Sequence, residues 1–180
     1  MITNAVLDAL RNRRSCRKYE SRQIEPDLLE AVLEAGTWAP TGKGTQNPII
    51  VCVQDPDKIA AIESLNGGVM GNPDSHPFYG APTLLIVFAD SSRGTYLEDG
   101  SLVMGNLLNA AHSVGLGSCW IHRAKEVFET PVGRAKMREW GIPDSYVGIG
   151  NCILGYAVEE APAKPRKENY VIYDALGHDD

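Results

Sequence analysis

The stretch SLVMGNLLNAAHSVGLGSCWI, residues 101–121, changes its pattern part of the way through. From Ser101 to Val114, apolar and small side chains recur on nearly every side of a helical wheel, and no Lys, Arg, Asp or Glu interrupts them. A helix written this way is buried all round, in a core or against a second subunit. Extended upstream, the helical reading covers about 95–116 and is the longest in the chain. GLGSCWI then reads as a short apolar strand set off by glycines.

Working outward, strands and helices intermingle. PTLLIVFA (82–89) and YVGIGNCILGY (146–156) read as buried strands, and so does IIVCV (49–53). Residues 3–13 read as a short helix. Pro26 opens a second helix, PDLLEAVLEAGTWA, at its first turn. Asp55 and Pro56 cap and open a third, and TPVGRAKMREWG (130–141) forms another short helix, after the long one, between Thr130 as cap and Gly141 as terminator. PTGKGTQNP (40–48) reads as a loop exposed or set against a ligand, and NGGVMGNPDSHPFYG (66–80) as a mobile loop suited to a lid. The tail turns β-like at Tyr170–Tyr173. This pattern gives α/β or α+β, with residues 1–180 as one domain and no repeat or linker dividing them.

Of the 180 residues, 43% are hydrophobic and 22% charged, and no run approaches the roughly 20 apolar residues that span a bilayer. The N-terminal basic cluster follows the apolar residues, and no small-residue cleavage site is present, so no signal peptide is read and a cytoplasmic location is expected. Cys16, Cys52, Cys119 and Cys152 lie far apart, which suits reduced thiols better than disulfides or a zinc site. TGKGT fails the P-loop spacing, and Gly148-Ile149-Gly150 lacks the third glycine of a dinucleotide fingerprint. No H-E-x-x-H or G-x-S-x-G occurs.

The net charge is −6, yet Arg11, Arg13, Arg14, Arg17 and Lys18 crowd into nine residues, and Lys164-Pro165-Arg166-Lys167 repeats the pattern near the other end. Nucleic-acid binding needs a basic stripe on a basic domain, so it is not expected here. Two small clusters suit one small anion, and arginine forks bind phosphate bidentately.

RRSCRKY, the following IEPDLLEAVLEAGTWAPTGKGTQNP, GNLLNAAHSVGLGSCWI and GIPDSYVGIGNCILGYAVEEAPAKPRK stand in an order that resembles the nitroreductase family of flavin mononucleotide (FMN) enzymes. The resemblance covers most of residues 9–170. It implies an α+β fold with a central antiparallel sheet and an intertwined homodimer whose C-terminal extension is exchanged onto the partner. It implies an FMN-dependent oxidoreductase that passes hydride from NADH or NADPH through flavin N5 to a nitroaromatic, a quinone or a similar small electron acceptor. Other chemistries open to such a protein are reduction of activated alkenes or halogenated compounds, or FMN carriage without turnover. Carried over by position, Arg13, Arg14, Ser15 and Arg17 hold the phosphate and ribityl chain, and Lys164 and Arg166 close that site. Pro40, Thr41 and Gly42 approach the flavin from the other subunit, Gln46 matches the family's glutamine, and the backbone at Ile121 and His122 lies by the flavin ring. The chain departs from the family at Gly44, usually Asn, and at Gln46-Asn47-Pro48, where Q-P-W is common.

The remaining candidates read plainly. Arg11, Lys18 and Arg22 are solvated, Cys16 and Cys119 are packing residues, and His112 is a partly buried helix-face residue. His76 and His178 face solvent. Phe78 and Tyr79 line a pocket or anchor their loop.

Overall fold

The computed structural model describes residues 2–159 and 161–174; His178 lies outside them. The elements in chain order are α1 (Ala5–Asn12), α2 (Pro26–Thr37), β1 (Ile49–Val53), α3 (Pro56–Val69), β2 (Thr83–Asp90), α4 (Tyr96–Ser113), β3 (Gly117–Ile121), α5 (Ala124–Glu129), α6 (Pro131–Glu139) and β4 (Tyr146–Gly155). The strands pair antiparallel in the order β1-β2-β4-β3. The fold is α+β, a central antiparallel sheet flanked by helices.

β2 explains why an unbroken apolar run is needed. Leu85, Val87 and Ala89 meet α2 and α4 through Leu29, Val32, Val103, Met104 and Leu107. Leu84, Ile86 and Phe88 meet α3, α5 and α6 through Ile59, Ile62, Val127, Phe128 and Met137. With both faces covered, alternation disappears from the sequence. A bulge between Val87 and Phe88 faces the glycines of β4, and Gly148 lies so close to α5 that a Cβ there would meet Ala124 O at 2.5 Å.

Local chemistry sets the helix starts. Asn4 accepts from the Leu7 N–H, and Asp55 accepts from the Asp57 and Lys58 N–H groups beside Pro56. Thr130 accepts from the Gly133 N–H at 3.0 Å and donates to Val127 O at 2.7 Å, so it serves the end of α5 and the start of α6 together. Thr130→Ala is expected to cost about 1 kcal/mol, read as a lower urea midpoint with an unchanged slope.

Several expectations are corrected. IIVCV is an edge strand rather than a buried one: Ile49, Ile50 and Val51 are half-buried and Cys52 is exposed. α3 continues through Asn66-Gly67-Gly68-Val69, because Asn66 is buried and Gly67 packs against Asn72 O and Ser75, a closeness that excludes larger side chains. Within the single chain α4 is buried on its sheet-facing side while Leu97 and Leu102 are exposed, which leaves the reading of burial against a second subunit open to test. α5, six residues long, was not foreseen. Tyr170–Tyr173 form no strand in the chain, and all four residues are exposed. Phe78 is an anchor: its side chain is 1% exposed and its N–H donates to Glu63 Oε1.

Candidate cofactor site

The chain leaving α1 runs against the free edge of β3. Ser15 bridges Ser118 in parallel, and the Cys16 N–H donates to Ser118 O at 2.9 Å. Farther on, the Glu20 N–H donates to Tyr156 O and the Val158 N–H to Lys18 O. These bonds bring the segment after β4 beside residues 13–20, with Lys18 and Glu159 paired at 3.6 Å.

The result is a cleft of about 760 Å³ lined by Arg13, Arg14, Ser15 and Arg17 from one end of the sequence and Lys164 and Arg166 from the other. No carboxylate lines it among the described residues. Arg14 is turned onto the Arg11 and Arg13 carbonyls at 2.7 and 2.8 Å, and Arg166 onto Lys164 O. Arg13 Nη1 is buried with no hydrogen-bond partner among the described residues. A buried cation among like charges is costly until an anion arrives. Arg11, which sequence reading set aside as solvated, lines the same cleft; its nearest carboxylate, Asp8, is 4.0 Å away.

Ile121 and His122 stand at the far end of β3. Ile121 is three residues past Ser118, about 10 Å farther along the strand at its usual rise. The His122 side chain is exposed, but its backbone is held: Asn66 Nδ2 donates to His122 O at 2.9 Å. Arg123 then takes a left-handed φ of 76° to start α5. Sequence reading missed Asn66 because it placed that residue in a loop.

No residue of 40–46 lines the basic cleft. Thr41 and Gln46 instead border a second cleft of about 430 Å³ with Leu33, Ala39, Ile50 and Val103. Their loop rests on Asp99 in the first turn of α4. Asp99 is 2% exposed and accepts from the Gly42 N–H, Asn47 Nδ2 and Thr95 Oγ1. Burial alone would raise its carboxyl, but these three donors outweigh burial and hold it below the usual carboxylate range.

The Cys152 thiol is not built as a nucleophile. Burial, with Cys119 nearby, pushes Cys152 up to about 12 while Arg13 pulls the other way.

The nitroreductase family profile matches residues 10–156. A relative from Methanothermobacter thermautotrophicus named as an NADH dehydrogenase/NAD(P)H nitroreductase is 30% identical over 86% of this chain and 78% of its own. A Bacillus subtilis protein named FMN reductase [NAD(P)H] is 23% identical over 96% of this chain and 77% of its own. A solved Bacteroides fragilis nitroreductase with bound FMN superposes with a TM-score of 0.88 at 29% identity, covering 95% of this chain and 99% of that one. The fold is therefore that of FMN-binding reductases. The chain belongs to the nitroreductase family.

The residues present fit FMN. Among its described lining residues the cleft offers cations and no carboxylate, with Arg13 among those cations, and Ser15 offers a hydroxyl on the strand edge that leads to Ile121.

Proposed function

We propose that this chain is an FMN-dependent NAD(P)H oxidoreductase acting on a small oxidant such as a nitroaromatic or a quinone. The observation that carries this reading is the meeting of Arg13, Arg14 and Arg17 with Lys164 and Arg166 around a cleft with no carboxylate among its described lining residues. The chemistry FMN supplies when bound is acceptance of hydride from the nicotinamide and delivery of electrons to the oxidant.

The chain's own residues bind and orient. Arg13, Arg14, Arg17, Lys164 and Arg166 neutralise a phosphate dianion, with the arginine forks fixing its angle. Ser15 holds the adjoining oxygens. Asn66 fixes the His122 peptide, so that the backbone at Ile121 and His122 presents a rigid edge to the flavin ring. No side chain is assigned an obligatory proton transfer, and solvent supplies the protons.

The functional unit in this reading is a homodimer. Pro40, Thr41, Gly42 and Gln46 lie away from the basic cleft of their own chain and serve the partner's. Val6, Leu10, Leu102 and the Tyr170–Tyr173 tail are exposed in the single chain, and among the described residues β1 pairs only with β2, which leaves one edge for an exchanged extension.

The test is an absorption spectrum of the purified protein after FMN loading, followed by anaerobic NADH or NADPH. Flavin bands that bleach are expected, with the faster nucleotide identifying the donor. A protein that takes up no FMN overturns the reading, and bound flavin that neither nucleotide bleaches leaves a carrier in its place.

A further inference from the structure

We propose that Asp99 and Asn47 form a latch that holds residues 41–47 in one strained shape, and that both are positioning residues for the flavin pocket. The second half of this inference rests on the function proposed above.

The loop pays for its shape locally. Lys43 and Gln46 take left-handed φ values of 57° and 49°, as does Gly44 at 64°. A left-handed φ is disfavoured for residues with a Cβ, so the surroundings must enforce it. Bonds inside the loop contribute: the Gln46 N–H donates to Thr41 Oγ1 at 2.9 Å, and the Gly44 N–H to Thr41 O at 2.9 Å. They close the loop on itself without placing it on the protein.

Placement comes from the two latch residues. Asp99 Oδ1 accepts from the Gly42 N–H at 2.8 Å, and Asp99 Oδ2 accepts from Asn47 Nδ2 at 2.8 Å and Thr95 Oγ1 at 3.1 Å. Gly42 lies so close to Thr95 that a Cβ would overlap its hydroxyl. Asn47 extends the hold to the sheet. Its Oδ1 accepts from the Asp90 N–H at 3.3 Å, and its carbonyl accepts from the Tyr146 hydroxyl at 3.0 Å. One loop is thereby tied to α4, to the end of β2 and to the start of β4. Asn47 is also where this chain departs from the family's usual Q-P-W, so the departure has a structural use.

The test follows from donor and acceptor counting. In Asp99→Asn, no amide orientation satisfies every partner: turning the oxygen to Gly42 sets the new NH₂ against the Asn47 NH₂, and flipping Asn47 sets its NH₂ against the Asp90 N–H. In the exchange Asp99→Asn/Asn47→Asp, the amide now at position 99 can accept from Gly42 and donate to the carboxylate now at position 47, which still accepts from Asp90. Apo-protein is titrated with FMN, and exchange of the Gly42 amide is followed by NMR. We expect Asp99→Asn to raise the FMN Kd about tenfold and to expose the Gly42 amide, and the exchanged pair to restore Kd to within about threefold of wild type. Asn47→Ala, which leaves Gly42 and Thr95 on Asp99, should give a smaller weakening and serves if Asp99→Asn fails to fold. An unchanged Kd in the single variants, or a loss that the exchanged pair does not recover, overturns the inference. Were wild type to bind no FMN, the proposed function would fall and the positioning role with it, while Gly42 exchange would still decide the latch: an unprotected amide in wild type removes it.

Discussion

Arg13→Ala is expected to give a folded protein that purifies without colour and binds FMN about a hundredfold more weakly than wild type. One charged hydrogen-bonding group lost from a partly buried site costs about 2–3 kcal/mol of binding, and about 2.7 kcal/mol is a factor of a hundred. The apo-protein should behave in the opposite sense. Arg13 Nη1 is buried without a partner among the described residues, and the guanidinium stands close enough to Cys152 to act on its thiol. Removing an uncompensated buried charge relieves a cost, so the apo melting temperature should hold or rise. Arg13→Lys keeps the charge and loses the planar fork, and its affinity should fall between the two. Fluorescence titration of apo-protein with FMN, alongside thermal melts without flavin, reads both quantities. Undiminished FMN affinity in Arg13→Ala would remove this residue from the site.

Legibility differed between frame and site. β2, α4 and the caps at Asp55 and Thr130 were readable because each is written locally, in a run of apolar residues or a side chain beside the turn it caps. α5 was not, since AKEVFE is a short segment whose start depends on a left-handed Arg123. Asn66 was misplaced because a following Gly-Gly reads as a loop when the close neighbours that favour glycine, Asn72 and Ser75, are folded next to it by later turns. The residues alone suggested that two basic clusters share an anion, and only the family resemblance put them in one place. The cause is a set of long-range backbone bonds, Ser15 with Ser118 and Lys18 with Val158, that no periodicity records. Asp99 escaped notice for the same reason. An acid in a first helical turn normally reads as a partner of the helix dipole, whereas here two of its donors, Gly42 and Asn47, lie more than fifty residues away in sequence.

Phe88→Ala should show the complementary behaviour, a large loss of stability with little change in FMN binding. Phe88 is fully buried on β2, edge-on to Phe128 at 4.8 Å and near Trp140 at 6.3 Å. Truncating a core phenylalanine costs about 3–5 kcal/mol, and loss of the paired rings accounts for part of that figure. At this chain length such a loss lowers Tm by roughly 10 °C. Urea unfolding should show the midpoint fall with the slope kept. The basic cleft, however, is built from residues 10–17 and 161–166, and none of its lining residues belongs to the cluster that holds these three rings. FMN affinity measured well below the melting range should therefore stay within about threefold of wild type, as expected for sites that share no partners. Arg13→Ala moves binding and spares stability, while Phe88→Ala moves stability and spares binding. If FMN affinity fell together with stability in Phe88→Ala, the cleft would be coupled to the core beneath α5 and α6, and the picture of a phosphate site suspended from the sheet edge would be wrong.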